Sequence, residues 1–392
     1  MSSGNYDIAV IGGGIHGAGT AQAAAAAGYS TAVLEMNGLG SGTSGKSSKL
    51  IHGGLRYLET AQLSLVKECL HERALLLKNA PGLVSLKKIF LPIYRETVRR
   101  PWMIRIGLSM YYALSGFNRD SEFISVPKRE WEGLDGLNTA GIQAVFQYHE
   151  AQTDDALLTK AVMDSAMTLG AELYMPATFT GAVFENGGWT VRFEKNGSIS
   201  ELRASFLVNA GGPWANMILE KIVPAQRNVP VDLVQGSHII LGGKIERGIY
   251  YVEAPQDRRG VFVMPWKGDT MVGTTETVFN GDPSASAPLE SEIRYLLEAA
   301  GRYFPRFRSA GPGDVLGSFA GLRVLPSGSG NPFSRSRETL LHSGDINKAR
   351  LVSIFGGKLT SYRATGESVI RKIAPYLPAV KAKADTKTLA LK

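Results

Sequence analysis

The sequence predicts an α/β protein (α+β overall) whose parallel sheet is assembled from segments lying far apart in the chain. Three observations predict it. Tyr6–Ile11 (YDIAVI), Phe206–Ala210 (FLVNA) and Leu351–Phe355 (LVSIF) are short, β-branched apolar runs of the kind buried in parallel sheets, and each ends in a glycine cluster. The first run is followed by an alanine-rich helical stretch, Ala18–Gly28, and a second strand, Thr31–Leu34, which is a βαβ order. Between Val231 and Val324 the pattern changes to separate β-rich patches (SHIIL, GVFVMPW, TMVGTTE) with one helix near Glu290–Tyr303.

The totals agree with two domains. The chain has 392 residues, 44% hydrophobic and 20% charged, ordinary for a globular protein with a sizeable core. Its 45 glycines stand mostly in discrete clusters, where backbone must approach something closely. A net charge of +8 suits anionic ligands or an anionic membrane surface, and no basic run interleaved with aromatics argues for nucleic acid. Cys69 is the only cysteine, which excludes an internal disulfide, a CxxC pair and a thiolate metal site, so no metal is expected. No secretory signal pattern and no 18-residue apolar stretch is visible, which makes the cytoplasm the expected compartment.

The elements follow in order. Gly38–Ser48 is a small-residue loop leading into a helical region that runs to about Lys78. Lys87–Phe117 is basic and apolar together, and Ala156–Leu169 is an amphipathic helix. Glu172–Phe206 reads as hairpin-like strands separated by Asn-Gly turns. From Pro375 onward the periodicity is lost, and a frayed tail is expected.

Gly12–Gly17 (GGGIHG) places G-x-G-x-x-G between a strand and a helix. Gly12 makes the tight turn, Gly14 lets the backbone approach a pyrophosphate, and Gly17 lets helix and strand pack closely. The free amides at the helix start, around Ile15 and His16, offer partial positive charge to phosphates. Glu35, at the end of the second strand, stands where a carboxylate reaches an adenosine ribose. Alone this Rossmann-type unit does not separate FAD from NAD.

Two further glycine sites point to the longer cofactor, FAD. Ala210, Gly211 and Gly212 follow one buried strand; Gly356 and Gly357 follow another, with a helix expected from Leu359 or Thr360 to about Ile373. The amides of Gly357, Lys358 and Leu359 at that helix start would stabilise negative charge on a reduced flavin. Each glycine pair taken singly could be a plain turn.

Beyond these sites the chain resembles the glycine-oxidase and D-amino-acid-oxidase superfamily of flavoproteins, and within it the FAD-dependent glycerol-3-phosphate dehydrogenases. The resemblance runs from about Tyr6 to Ile373 and is carried by IGGGIHGAG, TSGKSSKLIHGGLRYLE, RPWMIRIGL, NAGGPW, GSHII, GTTE and FGGKLTSYR. It implies a D-amino-acid-oxidase-like fold, with the FAD domain in segments 1–86, 153–230 and 350–392 and the substrate domain in 87–152 and 231–349. It also implies oxidation of sn-glycerol 3-phosphate at C2 to dihydroxyacetone phosphate, with electrons passing to a quinone. Against the resemblance stand two expected departures: the family's usual helical C-terminal domain is not found in the 392 residues, and the sequence reads GLRVLP where the family reads GVRPL.

A phosphate monoester of about −2 charge calls for guanidinium groups, which bind it bidentately. By the resemblance, Arg56, Arg323 and Lys358 would bind substrate, Tyr57 would add a hydroxyl, and Arg337 is a weaker candidate. His238, in an apolar strand, is the expected base, with Arg56 and Arg323 beside it as catalytic residues; a strand histidine can equally be a satisfied core residue. His52 and Gly53 would lie against the flavin ring, and Thr43, Ser44, Ser47 and Ser48 would bond the pyrophosphate and flavin edge. Gly357, Lys358, Leu359 and Thr360 would hold the flavin, and Phe179 the adenine end through its backbone.

The segment 87–117, with six cations against Glu96 and with Trp102, Tyr111 and Tyr112, suits peripheral attachment to the inner face of the cytoplasmic membrane, though its apolar residues could be core. Competing readings are a related flavoenzyme acting on another 2-hydroxy acid or amino acid, and a non-catalytic flavoprotein or subunit of a larger complex.

Overall fold

A computed structural model describes residues 4–59, 61–328, 338–344 and 349–392. Among them two large sheets dominate. The first has nine strands, in the order Ile222–Val223, Thr178–Glu185, Gly188–Lys195, Ser198–Asn209, Asn5–Ile11, Thr31–Leu34, Glu172–Tyr174, with Leu351–Phe355 and Leu340–His342 branching beside Ser198–Asn209. Strand Asn5–Ile11 pairs in parallel with Thr31–Leu34 and with Ser198–Asn209, which pairs in parallel with Leu351–Phe355. The three glycine turns therefore leave the sheet from one edge, the carboxyl edge where α/β sheets bind ligands.

Helices Ile15–Ala27, Asp155–Thr168 and Tyr362–Ile373 contribute one core cluster, with Ile8, Val10, Phe206 and Val352. Gly28 ends the first helix at φ 103°, its amide returning to Ala24 and Ala25, as a left-handed C-terminal glycine does. The Asn-Gly hairpin turns occur as expected, with Asn186, Gly187, Asn196 and Gly197 all at positive φ. Trp189 and Phe179 from these hairpins fill the opposite cluster.

The second sheet has ten strands and carries Val84–Tyr94, Ile142–Thr153, Val231–Leu241 and Val315–Pro326. Helix Glu290–Tyr303 supplies Leu296, Leu297 and Ala300 to one core cluster, and helices Leu63–Asn79 and Pro101–Leu114 supply Val66, Leu70, Ile104 and Leu108 to another. The basic, apolar stretch thus divides into a strand and a helix.

Two expectations are corrected. The tail does not fray: the Lys383 amide donates to Ala26 O (2.7 Å), the Leu391 amide to Asn79 O (2.7 Å), and Asn79 Nδ2 donates to Lys387 O (2.8 Å). Thr386 is buried and accepts from Arg363, which also pairs with Glu72. Isolated anchors of this kind leave no periodic trace in a sequence. The last helix begins at Tyr362, not at Leu359 or Thr360, because Gly356 (φ 72°) and Gly357 (φ 95°) open a turn that closes only with the Ser361 amide on Lys358 O.

Candidate active site

One cavity of about 580 Å³ runs along the glycine-bearing edge of the first sheet and into the second. At one end stands Glu35, 8% exposed, its carboxylate accepting the amides of Gly13 (2.7 Å) and Asn37 (2.9 Å). A carboxylate has about four acceptor positions, so two amides leave capacity for hydroxyls of a ligand. Gly12, Gly14, Ile15 and His16 continue the wall, followed by Ala210 and Gly211, then Gly356, Gly357, Lys358, Leu359 and Thr360. Phe179 also lines it. Gly17 does not, and works behind the wall: a Cβ there would stand 1.8 Å from Gly12 O. Gly17→Ala is therefore expected to displace the glycine turn at a cost of about 1–3 kcal/mol. A lower denaturation midpoint together with loss of flavin during gel filtration would register it.

The cavity fits a long anionic cofactor. Gly14, the N-cap of helix Ile15–Ala27, offers no side chain of its own, and the helix start at Ile15 and His16 lines the cavity. Both ring nitrogens of His16 are buried without a hydrogen-bond partner, and burial pushes its pKa down to about 4. Such orphaned polar atoms at the junction of the first and third glycine turns match a ligand rich in acceptors and donors.

The small-residue loop is itself tied to the protein. Thr43, Ser44, Ser47 and Ser48 line the cavity, yet each side chain has a protein partner. Thr43 Oγ1 donates to Leu322 O (2.7 Å), Ser47 Oγ to Asp155 (2.6 Å), and Ser44 Oγ accepts the Ile15 amide (2.9 Å). Ser48 Oγ lies 2.9 Å from His238 Nε2. Buried Lys49 fixes the loop further through Asp155 and Gly45 O. The loop is thereby fastened to strand Val315–Pro326 and to His238.

His52 lines the cavity, its amide held by Thr360 Oγ1 (3.1 Å). Gly53 does not line it; its amide donates to Tyr111 Oη (2.9 Å), which donates to Glu150, itself paired with Arg73. Burial raises the Glu150 carboxyl above its ordinary range, against the lowering effect of Arg73. This buried network was missed from sequence, since its members are scattered over Gly53, Arg73, Tyr111 and Glu150 with no motif to join them.

Strand Val231–Leu241 brings the chemistry together. His238 is 1% exposed, stacked on Phe319 with ring centroids 4.8 Å apart and planes 13° apart. Gly273 lies opposite it, where a Cβ would stand 2.0 Å from the imidazole, so only glycine admits the ring. Its Nδ1 is buried with no hydrogen-bond partner. Burial, then the charges of Arg323 and Lys49, hold His238 well below the ordinary histidine range, so the ring is neutral at neutral pH.

Arg323 pairs across from Val234 and so shares the face of Gly236 and His238. A Cβ on Gly236 would strike the guanidinium at 2.6 Å; the glycine of GSHII makes the space that Arg323 fills. The guanidinium donates to Thr274 Oγ1 (3.2 Å) and Thr275 O (3.4 Å) and lies 3.7 Å from Glu276 Oε1. Glu276 was not among the expected site residues, although it ends the GTTE motif. Tyr57 and Lys358 line the cavity too, with Lys358 Nζ 3.6 Å above the Tyr57 ring and 3.7 Å from Cys69 Sγ. Arg56 sits in the short helical turn Leu55–Leu58 between two cavity residues, but its side chain, like the whole of Arg337, lies outside the described residues.

Comparison with known proteins agrees with this construction. The FAD dependent oxidoreductase family matches residues 7–363. Aerobic glycerol-3-phosphate dehydrogenase of Escherichia coli (strain K12) is 39% identical over 375 residues, covering 94% of this chain and 74% of the relative. D-erythritol 1-phosphate dehydrogenase of Brucella abortus (strain 2308) is 36% identical over 380 residues, covering 95% of this chain and 74% of that protein. The crystal structure of glycerol-3-phosphate dehydrogenase from Bacillus halodurans complexed with FAD superposes with a TM-score of 0.78 at 27% identity, covering 100% of this chain and 68% of that one. The chain belongs to the FAD-dependent oxidoreductase family, among the relatives of glycerol-3-phosphate dehydrogenase.

Proposed function

We propose that the chain oxidises the C2 hydroxyl of sn-glycerol 3-phosphate to dihydroxyacetone phosphate. The observation that carries the reading is the pairing, on one face of one strand pair, of a neutral buried imidazole with a guanidinium that opens onto the same cavity. Bound FAD supplies the two-electron acceptor for the C2 hydride. Arg323 binds the phosphate dianion, with Lys358 adding charge from the third glycine turn and Arg56 and Tyr57 completing the pocket. Nε2 of His238 lies 2.9 Å from Ser48 Oγ and Nδ1 has no protein partner; in the tautomer that carries its proton on Nε2, Nδ1 is the acceptor for the C2 hydroxyl proton. The glycine turns, Glu35 and His16 hold FAD, and the two sheets correspond to cofactor and substrate domains.

Anaerobic mixing of the flavin-loaded protein with glycerol 3-phosphate tests the reading: bleaching of the flavin is expected, with lactate, glycine and 2-hydroxyglutarate inert. D-Erythritol 1-phosphate belongs in the same experiment, because the Brucella relative named for it is 36% identical. Faster bleaching by the longer polyol phosphate would reassign the substrate.

The electrons are proposed to pass to a quinone at a membrane surface. Among the described residues no helix is long and apolar enough to cross a bilayer. Helix Pro101–Leu114 and its flanks nevertheless expose Trp102 (65%), Ile106 (53%) and Phe117 (66%), beside exposed Arg95, Arg100 and Arg105. The same helix also lines the cavity through Met103, Ile104 and Gly107. Co-sedimentation with phosphatidylserine vesicles is expected at low salt and should weaken at high salt. Trp102→Glu should abolish it; unchanged sedimentation of that variant would remove the helix from the account.

A further inference from the structure

We infer that Glu292 is a positioning residue that sets the base and the phosphate-binding arginine in register from behind the strand pair that carries them. It rests on the assignment of His238 and Arg323 above. Glu292 lies on helix Glu290–Tyr303, outside the cavity wall, and is 4% exposed. Its carboxylate accepts five hydrogen bonds. Oε2 takes the Leu289 amide (3.0 Å), Gln235 Nε2 (2.8 Å) and Ser237 Oγ (2.7 Å). Oε1 takes Thr275 Oγ1 (2.7 Å) and Thr277 Oγ1 (2.8 Å).

The partners fall in a pattern. Side chains alternate along a strand, so Gln235 and Ser237 face Glu292 while their neighbours Gly236 and His238 face the cavity. On the adjoining segment Thr275 faces Glu292. Thr274 and Glu276 line the cavity on either side of it, and both engage the Arg323 guanidinium. The Thr275 carbonyl is a third acceptor for that guanidinium, and Thr275 Oγ1 also accepts the Ser237 amide (2.9 Å), which closes the link between the two segments. One carboxylate therefore ties down the residues adjacent to His238 and those adjacent to every protein acceptor of Arg323 named above. A buried charge with all its bonds made is rigid, whereas a partly satisfied one is not. That asymmetry makes the carboxylate, and not any neutral residue of its size, the device that fixes the distance between proton acceptor and phosphate site.

Glu292→Gln keeps the size and replaces one acceptor oxygen by a donor, which the two threonine hydroxyls can accommodate by rotation while the charge is lost. Flavin content and spectrum are expected to stay at wild-type values, because no cavity residue changes. kcat/KM for glycerol 3-phosphate is expected to fall by about 10- to 100-fold, as displacement of reacting groups by an ångström does. The pH limb assigned to His238 is expected to move with it. Ser237→Ala, which removes a single bond and leaves the carboxylate charged, should give a smaller loss in the same direction. A purely structural role predicts otherwise: a lowered melting temperature, with kcat/KM and pH profile of the flavin-loaded fraction unchanged. That result would overturn the inference. The imidazole resonances of His238 in histidine-labelled holoenzyme provide an arm independent of the substrate. Should glycerol 3-phosphate fail to bleach the wild-type flavin, the substrate reading falls, while a shifted His238 titration in Glu292→Gln would still uphold the positioning role, and an unshifted one would sink it.

Discussion

Arg323→Ala is expected to lower kcat/KM for glycerol 3-phosphate by roughly two to three orders of magnitude, the range seen when one partner of a desolvated charge pair is removed. Two terms act together. The substrate dianion loses its bidentate donor, and the Glu276 carboxylate loses the guanidinium that lies 3.7 Å from it, which leaves more negative charge beside the phosphate. Most of the change should appear in KM, since the phosphate stays bound to the arginine in both ground and transition states. Arg323→Lys restores charge without the planar fork and should recover only part of the loss. Removing the cation also lifts one of the two charges that depress His238, so the acid limb of the profile should move to higher pH. Steady-state rates with a dye acceptor, normalised to bound flavin, would measure all three effects. Unchanged KM in the alanine variant would mean that the phosphate lies elsewhere.

Much of this arrangement was legible in the sequence because it is enforced locally. YDIAVI, FLVNA and LVSIF could only be buried strands, and a glycine directly after each marks backbone that must turn or approach closely. Their parallel pairing follows once all three are central strands. GSHII and GTTE were recognisable as motifs, but the reason for their glycine content was not. Gly236 makes room for a guanidinium that lies 87 positions onward, and Gly273 makes room for an imidazole on the neighbouring strand. Such vacancies are defined by tertiary register, which a linear pattern does not carry. The hydroxyls of Thr43, Ser47 and Ser48 show the same limit: the composition of the loop sets it beside a cofactor motif, but its bonds to Leu322, Asp155 and His238 come from distant segments and leave no pattern. Glu292 and the Arg73–Glu150–Tyr111 network left no signal at all, because a buried carboxylate announces itself only through partners brought from distant segments.

His238→Ala tests the chemical step itself. General-base catalysis typically contributes about 10²- to 10⁴-fold, and a loss in that range is expected in kcat with little change in KM. The pH dependence gives the sharper test, and its sign follows from the environment. A histidine held below its ordinary value is already neutral at neutral pH, so wild-type activity should be flat there and fall only as acid protonates the ring. The limb should therefore lie well below pH 6.5, and it should vanish in the alanine variant, leaving a low, pH-independent rate over that interval. Ser48→Ala removes the partner of Nε2 without touching the ring. It should reduce kcat less than His238→Ala while keeping the limb, because Nδ1 remains available but the imidazole loses the bond that fixes its tautomer. Flavin reduction followed in the stopped-flow instrument separates this step from reoxidation. If His238→Ala reduced its flavin at the wild-type rate with an unaltered profile, the imidazole would be a core residue stacked on Phe319, and the proton would have to leave by another route.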